Sequence, residues 1–153
     1  MNFAKAARTL VAARRVGVLG TISSRLPGWP YPAMMPYAVD ESGRPLFLMS
    51  TLAAHTQDLL ADSRASLQVT GDVADANPAQ TPRAALMGNV SAIPSDDRAA
   101  VRSAYIERFP ESEMWADFGD FGFYRLEPLE VHYVGGFAAA AWISPVDYFS
   151  TVF

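Results

Sequence analysis

The chain contains no cysteine. That excludes disulfide bridges, thiolate catalysis and any cysteine-ligated zinc or iron–sulfur centre, and it fits a reducing, cytoplasmic setting. Histidine is nearly as scarce. His55 and His132 are the only two, too few for a multi-histidine metal site. Positive charge is in deficit, with 12 basic residues against 16 acidic ones and a net charge of −4. Binding to a phosphate backbone needs a basic face, so no nucleic acid is expected as a partner. No apolar run approaches the length needed to cross a bilayer, so no membrane is expected either. Near the N-terminus, Lys5, Arg8, Arg14 and Arg15 are spread through a helical pattern. This is not a charged head followed by an apolar block, so no secretory signal is read. Half of the residues are hydrophobic, enough for a core. At this length the expectation is one domain over residues 1–153.

The most informative stretch is 46–69, LFLMSTLAAHTQDLLADSRASLQV. Residues 46–50 are apolar and follow the turn residues Gly43 and Pro45, which predicts a buried strand. Residues 65–70 form a second such run. Between them, 54–61 predicts about two turns of helix with Leu59 and Leu60 inward. Ser50, Thr51, His55 and Thr56 gather where that helix begins. A helix N-terminus offers unpaired N–H groups and the positive end of its dipole. With two hydroxyls and an imidazole added, this corner is a candidate phosphate cradle. The plain alternative is that Thr51 caps the helix and His55 lies on the surface.

Elsewhere the pattern predicts a capped helix after Asn2. Strands follow at 16–23 and 31–39, with Gly20 a bulge or close approach. Asp40-Glu41-Ser42-Gly43 turns the chain into the 46–50 strand. A further strand at 83–93 is bracketed by Pro82 and Pro94 and kinked at Gly88. A helix over 96–109 has Ala100, Val101, Ala104, Tyr105 and Phe109 on one face, and Pro110 stops it. Another helical turn is expected at 114–118, then strands at 121–126, 131–134 and 137–142. The aromatic tail, with Tyr148, Phe149 and Phe153, is expected to pack on its own domain or on a second subunit. A meander of short strands with a helix in front points to a small barrel.

The ordered set GTIS, PYPAMMPYAVDESGRPLFLMSTLAAHTQDLLADSRASLQV, RAALMGNVSAI, VRSAYIERFPES and DFGDFGFYRLEPLEVHYVGGFAAAAW resembles the FMN-binding split-barrel superfamily of pyridoxamine 5′-phosphate oxidase. Within it the resemblance is greatest to the haem-utilisation (HugZ-type) branch. It covers about residues 6–142. It implies a mainly β (α+β) fold, a six-stranded antiparallel Greek-key split barrel with flanking helices. It also implies a homodimer with FMN at the subunit interface. Carried over, Ala33, Met34, Met35 and Pro36 would lie along the flavin, largely through backbone. Met49 and Ser50 would sit at the ring edge or ribityl chain. His55 and Thr56 would take the phosphate, Arg83 would approach from the interface, and Trp142 would pack near the partner's flavin.

The chain departs from the oxidase where cationic phosphate ligands are replaced by Ala33, Ala38, His55 and Thr56. A hydroxyl and a neutral imidazole hold phosphate less firmly than arginine does. The oxidase's C-terminal Arg-His substrate motif also has no clear match. Three functions stay open at this stage: an FMN-dependent oxidoreductase, a haem-binding or haem-utilisation protein, and a non-catalytic dimeric ligand-binding module. For haem, His132 is the one reasonable iron ligand outside the phosphate corner. Each residue also has a plain reading. Met34, Met35 and Met49 could fill the core, the tryptophans could simply pack, and His132 could be a core or rim residue.

Overall fold

Strict alternation writes the first strand. In β1 (Val16–Ile22), Gly17, Leu19 and Thr21 are buried, and Val16 and Val18 between them are exposed. A period of two places one set on each face of a sheet. The structure, a computed structural model, describes residues 1–73 and 75–152. Before β1 runs α1 (Phe3–Ala13), whose Asn2 cap accepts a hydrogen bond from the Lys5 amide at 3.0 Å. After β1 come β2 (Pro30–Pro36), β3 (Ala38–Val39), β4 (Pro45–Ser50), α2 (Ala54–Ala61) and β5 (Arg64–Thr70). Then follow β6 (Arg83–Ala92), α3 (Arg98–Arg108), β7 (Phe121–Val134), β8 (Ala140–Ile143) and α4 (Pro145–Phe149).

All pairings are antiparallel, in the order β2-β1-β5-β6-β7-β4-β3 with β8 added beside β7. The two ends of this path, β2 and β3, are consecutive in the chain and separated by Tyr37 alone. The sheet therefore curls back on itself as a half-barrel.

Eight strands are present among the described residues, not six. The expected second strand, 31–39, divides at Tyr37. The Tyr37 amide makes the last bond toward β1, to the Arg15 carbonyl at 3.0 Å, and from Ala38 the chain pairs with β4 instead; the Tyr37 hydroxyl donates to the Val11 carbonyl at 2.6 Å. The strands expected at 121–126 and 131–134 are one strand, because a bulge absorbs the proline between them. Opposite Gly88 sits Pro128, opposite Met87 sits Glu130, and Leu129 is the extra residue pushed outward. Proline lacks the amide a ladder needs, and a bulge is where a strand tolerates it. The last strand begins at Ala140 instead of 137, because 135–139 forms a turn closed by the Gly135 amide on the Ala139 carbonyl at 2.6 Å.

Other expectations change locally. Leu59 points inward but Leu60 is exposed. Ala100 is exposed on α3, where Val101 and Tyr105 make the buried face. A 3₁₀ turn over Pro110–Met114 replaces the helical turn expected at 114–118.

Two cores form because β4 is buried on both faces. Phe47 and Met49 point into the curl with Leu19, Leu67, Leu86, Leu126 and Val131. Leu46 and Leu48 face the other way, under Val101 and Tyr105 of α3 and against Phe123. The aromatic tail packs on its own chain. Tyr148 is buried and donates to the Gly43 carbonyl at 2.8 Å, while Arg8 of α1 donates to the Tyr148 carbonyl at 2.9 Å. Phe153 lies outside the described residues. No helix among the described residues is long and apolar enough to cross a membrane.

Candidate functional site

The residues proposed from sequence fall into three places. The first is the corner before α2. Its cap is Ala53, not Thr51, and it offers no side-chain acceptor. The Thr51 amide donates instead to the Asp120 carbonyl at 2.8 Å. The Ser50 hydroxyl donates to the Asp120 carboxylate at 2.7 Å and accepts from the Leu52 amide at 3.1 Å. Thr56 is 0% exposed and its hydroxyl has no hydrogen-bond partner, so an outside anion does not reach it in this conformation.

His55 stands half-buried at the rim of this corner. Burial pushes its pKa down and the Asp58 charge opposes this, leaving it below the ordinary histidine value of 6.5. Asp58, 3% exposed, accepts from the Thr21 hydroxyl at 2.8 Å, the Ser24 amide at 2.8 Å and the Ser24 hydroxyl at 2.9 Å. Burial pushes the Asp58 pKa up, but these hydrogen bonds outweigh it and the carboxyl lies below its ordinary value. The corner thus holds two carboxylates and a neutral imidazole, a poor setting for a phosphate dianion.

The second place is β2. Met35 is buried in the core, Ala33 and Pro36 are half-buried, and Met34 projects outward at 72% exposed. Met49, on β4, is buried in the same core. Any contact of Met35 or Met49 with a ligand would be through backbone.

The third place is the outward face of β6, β7 and β8. Ala85 pairs with His132, and His132 with Trp142. His132 and Trp142 stack, with ring centroids 4.4 Å apart and planes inclined by 32°. Trp142 is 63% exposed and His132 half-buried. Arg83 lies two residues from Ala85 on the same face, opposite Val134. Its Nη1 donates to the carbonyls of Ala79 at 3.0 Å and Thr81 at 3.1 Å, which ties its guanidinium to the turn at Pro78–Gln80. Arg83 is far from α2, because it pairs with Thr70 and Arg64 starts that strand beside the helix. At about 3.3 Å per residue the separation is roughly 20 Å.

The register joins the second and third places. Met34, Val18, Gln68, Ala85, His132 and Trp142 form one row across six strands. The next row holds Gly20, Ser66, Met87 and Glu130. Beside it the Leu129 bulge helps wall a groove of about 370 Å³ floored by Gly20, Ser66 and Gly88. Val16, Val18, Met34, Leu129 and Trp142 leave this face largely apolar and exposed. Sequence reading gave His132 only a minor place. The alternation in VHYV does put it outward, but its stacking on Trp142 depends on where β8 docks.

The sequence matches the CREG beta-barrel family over residues 1–150. The chain belongs to that family. This places it among the split barrels of the pyridoxamine 5′-phosphate oxidase type, as the ordered motifs implied, with haem-binding proteins among its neighbours. The chain is 41% identical over 133 residues to the chloroplastic HOZ of Arabidopsis thaliana, an atypical heme oxygenase. That alignment covers 87% of this chain and 40% of HOZ. A heme binding protein from Mycobacterium smegmatis superposes with a TM-score of 0.90 at 27% identity, over 98% of this chain and 61% of that one. Both relatives are therefore considerably longer than the part matched. HutZ from Vibrio cholerae, at 21% identity and a TM-score of 0.70, covers 84% of this chain and 91% of its own and shares the fold.

Proposed function

We propose that this CREG-family chain is a haem-binding protein of the haem-utilisation type, acting as a homodimer through the outward face of its sheet. The observation that carries this reading is the juxtaposition on that face of a half-exposed imidazole, an exposed indole and a guanidinium, His132, Trp142 and Arg83. Haem is a planar apolar ring with an iron that takes imidazole and two carboxylates that pair with arginine. The donor set fits. Ala85 beside the pair is small and leaves room above it. The names of two relatives, a heme oxygenase and a heme binding protein, agree with the reading.

The face is open on one side, and a porphyrin lying on it needs a second surface. Exposed apolar surface of this continuity marks an association site. A second copy placed there would cover Val16, Val18, Met34 and Leu129 and close the ligand between subunits. Bound haem would supply the iron centre for any redox step. The protein would hold the ring, pair its carboxylates and keep water from one side.

FMN, with an oxidoreductase activity, remains the second reading because the superfamily supports it. Its phosphate corner has His55 and Thr56 where the oxidase carries cations, and carboxylates flank it. Calorimetric titration with hemin and with FMN in parallel, each with sedimentation at micromolar protein, separates the readings. Tight hemin binding to a dimer is expected. FMN binding without hemin binding would reverse the choice.

A further inference from the structure

Haem iron takes an imidazole nitrogen as a ligand. Two imidazoles are present, and they lie on different parts of the molecule. His55 is on α2, beside the buried Asp58. His132 is on β7, with its ring on the apolar outer face.

We infer that His132 is the haem-iron ligand, that Trp142 is a positioning residue stacked on its ring, and that Arg83 pairs with a haem carboxylate. The assignment rests on the haem reading and deepens it.

Three observations carry it. His132 sits in the middle of β7, paired on one side with Ala85 of β6 and on the other with Trp142 of β8. Its backbone is therefore held by two ladders, so the ring starts from a rigid platform. The Trp142 indole lies against the ring at 4.4 Å, which removes rotamers the imidazole would otherwise sample. On the other side the neighbour is Ala85, which puts only a methyl group beside the open ring face. Arg83 projects from the same face two residues further along β6, with Nη1 of its guanidinium held by two backbone carbonyls. A ring bound by His132 would thus have a cation within side-chain reach of its edge.

His55 has none of these neighbours. Its surroundings are the charged Asp58 and the polar α2 corner, and the nearest arginine in sequence, Arg64, is bound to Asp62 by a pair at 2.6 Å.

The test is the optical and electron-paramagnetic-resonance spectrum of the hemin complex of the full chain and of H132A, H132G, W142A, R83A and H55A. Circular-dichroism melts check that each is folded. H132A should shift the Soret band and change the spin state, with affinity reduced by about tenfold or more. Free imidazole added to H132G should restore the wild-type spectrum. W142A should keep the ligation but broaden the signal. R83A should keep the spectrum and weaken affinity by roughly threefold to tenfold. A folded H132A with the wild-type spectrum, or loss of the spectrum in H55A instead, overturns the assignment while leaving haem binding intact. Failure of the unmodified chain to bind hemin overturns the haem reading itself, and the two failures are told apart by that one control.

Discussion

Replacing Gly88 by alanine should unfold this protein more readily than any other single added methyl group on the outer face. Gly88 stands at the register shift between β6 and β7. A Cβ there would overlap the Glu127 carbonyl oxygen and lie 2.8 Å from its carbonyl carbon and 3.0 Å from Pro128 Cα. These are backbone atoms of a paired strand, so no side chain can swing away. Relief requires the two strands to part at the bulge, which stretches the ladder that fixes Leu129 outward. Overpacking of this kind costs about 1 to 3 kcal/mol, and the backbone obstacle places G88A at the upper end. For a chain of this size that is roughly 5 to 10 °C in Tm. The control is G119A, where an added Cβ meets nothing within 4 Å; it should change stability by less than about 0.5 kcal/mol. Urea and thermal melts of both variants are the assay. A G88A protein within a degree of wild type, or one no worse than G119A, would refute the view that the bulge geometry is rigid.

Acid should destabilise the fold through His55. Its folded pKa lies below the ordinary 6.5, so above that pH it is neutral in both states, and below it the unfolded chain takes up the proton first. Stability should fall as pH drops from about 6.5 toward the folded value, and melts of H55Q should show a flatter profile over that range. Asp58→Ala strands the Thr21 and Ser24 donors and should cost about 2 to 4 kcal/mol. Asp58→Asn should recover most of it, and equal melts for the two would contradict the hydrogen-bond account. Arg8 is buried and donates to the carbonyls of Tyr148 and Glu41. Arg8→Ala should cost about 3 kcal/mol and expose the α4 segment to limited proteolysis, which gel analysis would show.

The sequence made the local elements visible because their signals are local. The helix at 54–61 follows from its position between two apolar strands, and α2 has those bounds. The Asn2 cap and the face of α1 carry the same kind of signal. What could not be read depends on partners distant in the chain. The second strand divides at Tyr37 because its two halves pair with different partners, β1 before it and β4 after it. Pro128 looks like a strand end until Gly88 supplies the bulge opposite it. Thr51 has the chemistry of a cap, but its amide is drawn to Asp120, some seventy residues away.

The site divides in the same way. The oxidase-like motifs picked out Arg83 and Trp142 separately, one for an interface and one for a flavin ring, and the register is what sets them on one face; the local pattern marked His55 in a polar corner. They did not show that Thr56 is sealed inside, or that Trp142 stacks on His132. Both depend on how α2 and β8 dock. The three tryptophans also carry less of the core than their type suggests. Trp29, Trp115 and Trp142 are all exposed, which is one reason the outer surface, and not the interior, holds the functional proposal.

The most direct measurement of the central claim is the visible absorption spectrum of the purified chain during stepwise addition of hemin, repeated with FMN. A red-shifted Soret band that saturates at a fixed ratio of hemin to chain, with FMN fluorescence unaffected, is the predicted result. A hemin spectrum no different from hemin in buffer, with FMN fluorescence quenched on addition of protein, would contradict it.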